Sequence, residues 1–214
     1  KEIAQAQISV CCLQEVRYLG NSGCKLIRLD TGENFKFFWC GKKKRRDLGV
    51  AVLIRDDPHI YVDETDVKDS RLMAMNITVH GFKIRLMNAH VPTEDGSDNE
   101  KDAFYRTLGK ASKTDSRHRK LLIAGDLNAT TSVSLKHCAY DWSKIVEDQL
   151  CNNNGARLKS FYRMMQLSMP QMYFDHPLNK HYMWYSNDGR TKKSPRLHAY
   201  RVVCAAVYHE LRCE

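Results

Sequence analysis

Three stretches of this 214-residue sequence end an apolar run in side chains able to bind a cation, move a proton or hold a phosphate. ISVCCLQEVR places Glu15 behind its run, RLMNAHVPTE places Asn88 and His90, and LLIAGDLNAT places Asp126 and Asn128. Each of these residues alone reads most simply as a strand-end cap or a turn residue. Their recurrence at separate strand ends reads as a site, because ligands of α/β proteins gather where strands finish. One carboxylate with an amide and water suits a hard cation such as Mg²⁺, which takes oxygen ligands and keeps several waters. In extended backbone the two-residue spacing of Asp126 and Asn128 sends both side chains to one side.

The elements that must position these residues follow from hydrophobic periodicity. Apolar runs rich in Val, Ile and Phe predict strands over 8–15, 35–40, 49–55, 73–79, 82–90 and 121–125, with later strands over 181–186 and 201–207. His80 and Gly81 separate two of these runs and predict a tight hairpin. A helix is predicted from about Asn99 to Lys113, with acids early and lysines late as the helix dipole prefers. A second runs over Gly155 to Leu167, where Leu158, Phe161, Met164 and Met165 recur at helical spacing and read as core. This pattern predicts an α/β sandwich in which helices cover two sheets. The length fits a single domain over 1–214, with no internal repeat or linker to divide it. The chain opens at Lys1 in what reads as a helix end leading into a strand, as expected of a fragment.

Composition narrows the class of function. The 34 Lys+Arg against 25 Asp+Glu give a net charge of +9, a field that attracts polyanions, and nucleic acid is the natural partner. The densest basic run, Lys42, Lys43, Lys44, Arg45 and Arg46, reads as a solvated turn, a phosphate-contacting loop or a nuclear localisation signal. No run approaches the ~20 apolar residues that span a bilayer, and the first residues lack the pattern of a secretory signal. Eight scattered cysteines without a C-x-x-C pair read as reduced, mostly buried thiols of an intracellular protein, nuclear or cytoplasmic.

The stretches CLQEVRYLGN, FFWCGKKKRRDLGVAVLIR, NAHVPTEDGSDNEKDAFY, IAGDLNA, NGARLKSF and MWYSNDGRTKK, in that order, resemble the endonuclease/exonuclease/phosphatase family, the DNase I-like fold. Within it they are similar to the endonuclease domain of non-LTR retrotransposons of the RTE kind. The resemblance implies a four-layered sandwich of two mixed β-sheets flanked by helices, here incomplete at the N-terminus and lacking a late strand. It also implies Mg²⁺- or Mn²⁺-dependent hydrolysis of DNA phosphodiesters, with no small-molecule cofactor and no membrane partner. Glu15 would hold the metal, Asp126 would orient or deprotonate the attacking water, and Asn128 would donate to the phosphate. His90 stands where many members carry a tyrosine, and a histidine there would make activity more sensitive to pH. His209 would help polarise the scissile phosphate. Asn88, Arg190 and the 42–46 run would contact nucleic acid.

The sequence departs from the family at three points. The first-strand asparagine that helps bind metal is absent, no I-D-Y-type motif follows WYSNDGRTKK, and Tyr208 precedes His209 where the family has an aspartate. These departures keep two other readings open: a degenerate domain that binds nucleic acid without cleaving it, and a phosphatase of the same fold.

Overall fold

The computed structural model describes Ile3 and residues 7–113, 118–129, 151–168 and 205–207. The chain divides into two compact units, Lys1–His90 with Lys110–Gly125, and Val91–Gly109 with Asp126–Glu214.

The first unit is built on two sheets. One contains β1 (Val10–Gln14), β2 (Gly23–Arg28), β3 (Asn34–Cys40) and β4 (Val50–Arg55) in the order β1-β4-β3-β2, every pairing antiparallel. Its central strand β4, VAVLIR, is apolar almost throughout because both faces are covered. Val50, Val52 and Ile54 point into one cluster, while Ala51 and Leu53 point into another with Phe35 and Phe37. The second sheet contributes β5 (Ile60–Asp69), β6 (Leu72–Val79), β7 (Phe82–His90) and β8 (Lys120–Asp126), in that order. Its residues Ile60, Met73, Met75, Ile77 and Leu86 pack against Cys40, Val50, Val52 and Ile54 of the first sheet. The unit is thus a sheet-on-sheet sandwich with a shared apolar core.

Two residues with positive φ, His80 (47°) and Gly81 (85°), close the β6–β7 hairpin, the conformation that two-residue turns use to match strand twist. The opposite face of this sheet carries a buried polar cluster. Arg85, 1% exposed, donates to Ala111 O, Asn76 Oδ1 and Asp66 Oδ2 at 2.9, 2.9 and 3.3 Å. Every strand predicted within the described residues is present, displaced by at most two residues at its ends. Strands β2 and β5 were not expected. Both lie at sheet edges, where little apolar surface is buried, so GCKLIR and IYVDETDVKD carry no clean alternation.

In the second unit, helix α1 starts at Asp98 and runs to Lys113, its last turn belonging to the first unit. Ser97 Oγ accepts from Glu100 N at 3.2 Å, the start of a capping box. Helix α2 (Asn153–Met165) begins at Asn152, whose Oδ1 accepts from Gly155 N at 2.8 Å, and ends at Gln166 with φ 53°. Leu158, Phe161 and Tyr162 are buried, whereas Met164, expected in the core, is 61% exposed. The apolar stripe follows Leu158, Phe161 and Tyr162 instead, because α2 stops at Met165 and its last turn presents Met164 to solvent. Strands β9 (Leu167–Ser168) and β10 (Ala205–Val207) pair antiparallel. β10 falls within the predicted 201–207 strand. The predicted 181–186 strand lies outside the described residues.

Candidate active site

The first unit supplies the ends of β1 and β7. Asn88 has no exposed surface and uses its amide fully inside the protein. Its Nδ2 donates to Leu13 O at 3.0 Å and Ala51 O at 2.8 Å, and its Oδ1 accepts from Gln14 Nε2 at 2.7 Å. Expected as a nucleic-acid contact, Asn88 is in this structure a tie that fixes the end of β1 just before Glu15. Glu15 itself leaves the strand with φ 53°, in the left-handed region that costs a non-glycine residue on the order of 1 kcal/mol. Its carboxylate is 57% exposed and lies 3.2 Å from Arg17 Nη2. His90, the last residue of β7, is buried at 4% exposure, and its N–H donates to Arg71 O at 2.8 Å.

The end of β8 is set by a glycine. Gly125 has φ 133°, and a Cβ there would lie 1.9 Å from Ala89 O, so no side chain fits between β7 and β8. That close approach delivers the chain to Asp126.

The second unit holds Asp126 and Asn128 in a turn. Asp126 Oδ1 accepts from Asn128 N at 3.1 Å, and Asp126 O accepts from Val91 N at 2.9 Å. Asn128 has φ 45°, so the segment is not extended as the spacing argument assumed. The physical reason is the Asx turn, in which the aspartate side chain replaces a strand partner and bends the backbone. Asn128 Nδ2 donates one proton to Val91 O at 2.7 Å, which orients the amide and leaves its second N–H without a partner among the described residues.

Around this turn lies a network the sequence reading missed. Asn152 Nδ2 and Asn154 Nδ2 both donate to Asn128 O, at 3.1 and 3.2 Å, and Asn154 Nδ2 also reaches Pro92 O at 2.9 Å. The Glu94 carboxylate accepts from Asn153 N at 2.9 Å and Asn154 N at 3.2 Å, placing an anion on the positive end of α2. Lys101, 3% exposed, donates to Glu94 O and Asn153 Oδ1. The sequence signal was present: an acid in VPTEDG and three asparagines opening a helical pattern, the residue types that cap N-termini.

The basic loop between β3 and β4 is exposed from Lys43 to Arg46. Lys42 Nζ lies 2.9 Å from Asp47 Oδ2 and Arg45 Nε 4.0 Å, and the hydrogen bond from Lys42 holds the Asp47 carboxyl below its ordinary range. Lys43, Lys44 and Arg46 make no ion pair among the described residues. His209 and Arg190 lie outside the described residues. The five described cysteines are free thiols, with Cys40 buried, Cys24 exposed and Cys11, Cys12 and Cys151 half-buried.

No three His, Cys, Asp or Glu side chains gather into a metal cage among the described residues. Among the strand-end residues of the first unit, Glu15 offers an exposed carboxylate. A hard cation held by one or two carboxylates and its own waters fits such a donor set.

The model of the Endonuclease/Exonuclease/phosphatase family matches residues 1–142, more than half of the sequence. The chain belongs to that family. Among curated relatives, craniofacial development protein 2 of Bos taurus is 22% identical over 191 residues, which are 89% of this chain and 31% of that protein. The chain therefore spans about a third of the length of the curated relatives it matches. Among solved structures, the endonuclease domain of TRAS1, a telomere-specific non-LTR retrotransposon, aligns with a TM-score of 0.54 at 12% identity, covering 96% of this chain and 75% of that one. The AP endonuclease LMAP from Leishmania major aligns with a TM-score of 0.54 at 13% identity, covering 96% and 71%. These likenesses establish the fold: this family member shares the two-sheet α/β architecture of the DNase I-like nucleases.

Proposed function

We propose that this family member is a divalent-metal-dependent endonuclease that hydrolyses DNA phosphodiesters, and that it derives from a non-LTR retrotransposon. The observation that carries the reading is the strand-end turn of the second unit, in which Asp126 is fixed by Asn128 N and the Asn128 amide is fixed by Val91 O with its second N–H unpartnered among the described residues. A positioned carboxylate orients a water or takes its proton, and a positioned amide donates to a phosphate oxygen. Both jobs need groups whose orientation is set before the substrate arrives. Glu15 would hold Mg²⁺ or Mn²⁺, and a bound cation supplies neutralisation of the charge that develops on the phosphate. Asn88 supports Glu15 by tying down Gln14, and Arg17 balances the Glu15 charge. His90 and His209 are assigned to the scissile phosphate. Lys43, Lys44, Arg46 and Arg190 are assigned to the backbone of DNA, where they contribute affinity rather than sequence choice. The free thiols suit a reducing intracellular compartment, nuclear or cytoplasmic.

Incubating the chain with supercoiled plasmid and Mg²⁺ beside Asp126→Ala tests the reading. We expect nicking that the substitution abolishes. Nicking that survives it, or no nicking by the parent chain, overturns the assignment. The second reading, a binder that no longer cleaves, is favoured by Tyr208 standing before His209 where the family carries an acid. Its signature is DNA retention that falls with salt in the absence of any nicking. A reverse-transcriptase frame beside the encoding locus is the expected outcome for retrotransposon origin.

A further inference from the structure

The first unit contains an exposed aromatic surface separate from the groups assigned to hydrolysis. Tyr18 is 37% exposed and Leu19 41%, and the Tyr18 ring lies 4.9 Å from Trp39 and 5.7 Å from Phe37, centroid to centroid. Phe37 and Trp39 stack at 5.7 Å, and Lys25 Nζ donates to Tyr18 Oη while lying 4.5 Å from that ring's centroid. These contacts orient the ring before anything binds it. Three glycines make the arrangement possible. A Cβ at Gly23 would meet the Trp39 ring at 2.3 Å, one at Gly41 would meet Tyr18 O at 2.1 Å, and Gly20 has φ 105°.

This surface is joined to the basic loop. Val16 N donates to Gly49 O, Arg17 N to Leu48 O, Gly20 N to Lys42 O and Gly41 N to Gly20 O, all within 3.2 Å. Residues 16–20 therefore bracket both ends of the loop that carries Lys43, Lys44 and Arg46, and Tyr18 stands three residues beyond Glu15. A buried-core role does not account for Tyr18 and Leu19, because both present large apolar surface to water in a segment tied to the loop whose Lys43, Lys44 and Arg46 make no ion pair among the described residues. Cations that track a phosphate backbone next to a rigid aromatic surface are the pairing that single-stranded nucleic acid recognises, since every unpaired base has a π-face to stack. In a duplex those faces are consumed by neighbouring base pairs.

We infer that the Tyr18–Leu19 surface binds an unpaired nucleobase whose flanking phosphates lie on the Lys42–Arg46 loop. The chain therefore engages single-stranded or locally melted nucleic acid there. The inference deepens the nuclease reading and rests on it only for the polymer being nucleic acid. The test is binding without cleavage: fluorescence anisotropy with a labelled oligothymidylate and with a duplex of equal length, both in EDTA.

Tyr18→Ala is expected to weaken the single strand roughly tenfold, the order of a lost base–aromatic stack, and the duplex less than about twofold. Tyr18→Phe keeps the ring and is expected to bind as the parent does, while charge reversal at Lys43 and Lys44 weakens both ligands. Leu19→Ser, outside the aromatic cluster, is expected to lower single-strand binding selectively as well, and carries the test should Tyr18→Ala fail to fold. Equal losses on both ligands, no loss on either, or a Tyr18→Phe loss matching that of Tyr18→Ala overturns the proposal. Because no metal is present, these outcomes are independent of nicking, and an Asp126→Ala chain gives the same signature.

Discussion

Asn88 shows how much a single buried amide can govern. Its three hydrogen bonds join β7 to the end of β1 and to β4, and truncation would remove a donor from the Leu13 and Ala51 carbonyls and free Gln14. Asn88→Ala is expected to lower unfolding free energy by about 3 kcal/mol, read from urea denaturation, since it removes three hydrogen bonds that contribute about 1 kcal/mol each. It is also expected to loosen Glu15 and reduce nicking, where a residue that only contacted DNA would alter binding and leave stability unchanged. Cys40 makes a different prediction. Its Sγ donates to Asp69 O at 2.8 Å, and burial pushes the thiol from an ordinary 9.0 up to about 11. A group whose folded-state value is raised contributes stability that is fully present below the unfolded value and lost as pH climbs through the folded one. Between pH 9.0 and about 11 the parent chain should therefore lose more stability than Cys40→Ala does, measured as the difference in urea midpoints at pH 8 and pH 10.5.

Among elements, the β8 strand end and the start of α2 decide where the catalytic candidates stand. Gly125 lies in a positive-φ conformation with the Ala89 carbonyl where a Cβ would be. Gly125→Ala is expected to cost roughly 3 kcal/mol or more, combining backbone strain with overpacking, and thermal unfolding would register it. Glu94 is the other hinge of the arrangement: it puts a carboxylate on two N–H groups at the first turn of α2. Glu94→Gln should cost about 1 kcal/mol by weakening charge-assisted bonds at the positive helix end, and the loss should shrink as salt is raised. Both changes act before Asp126 and Asn128 meet any substrate. The sequence expectation that Asp126 and Asn128 leave one side of an extended strand failed for a local reason. The Asp126 side chain is short enough to capture Asn128 N, and that capture bends the chain within two residues of the end of β8.

At the level of the whole molecule the +9 charge favours polyanionic partners, and its distribution sets how strongly salt acts on their binding. Each cation that neutralises a phosphate contributes about 0.9 to the slope of log affinity against log salt on duplex DNA. Replacing Lys43, Lys44 and Arg46 by alanine should therefore reduce the slope by about 2 to 3, measured by anisotropy across a salt series, with the fold unchanged. Lys42 would contribute less, because Asp47 already holds it at 2.9 Å.

The sequence by itself determined the strands β1, β3, β4, β6, β7 and β8, both helices and the family. These segments carry enough apolar surface, at the right period, for burial to dictate their conformation. It also determined which acids and amides stand at strand ends, since covalent order alone places Glu15, Asp126 and Asn128 there. Only the tertiary structure decided the edge strands β2 and β5, whose conformation is imposed by a neighbouring strand rather than by their own pattern. Only the tertiary structure turned Asn88 inward and Met164 outward. It likewise gathered Glu94, Lys101 and Asn152–Asn154 around the Asn128 turn, because hydrogen bonds between residues some twenty to sixty positions apart leave no periodic trace in a chain.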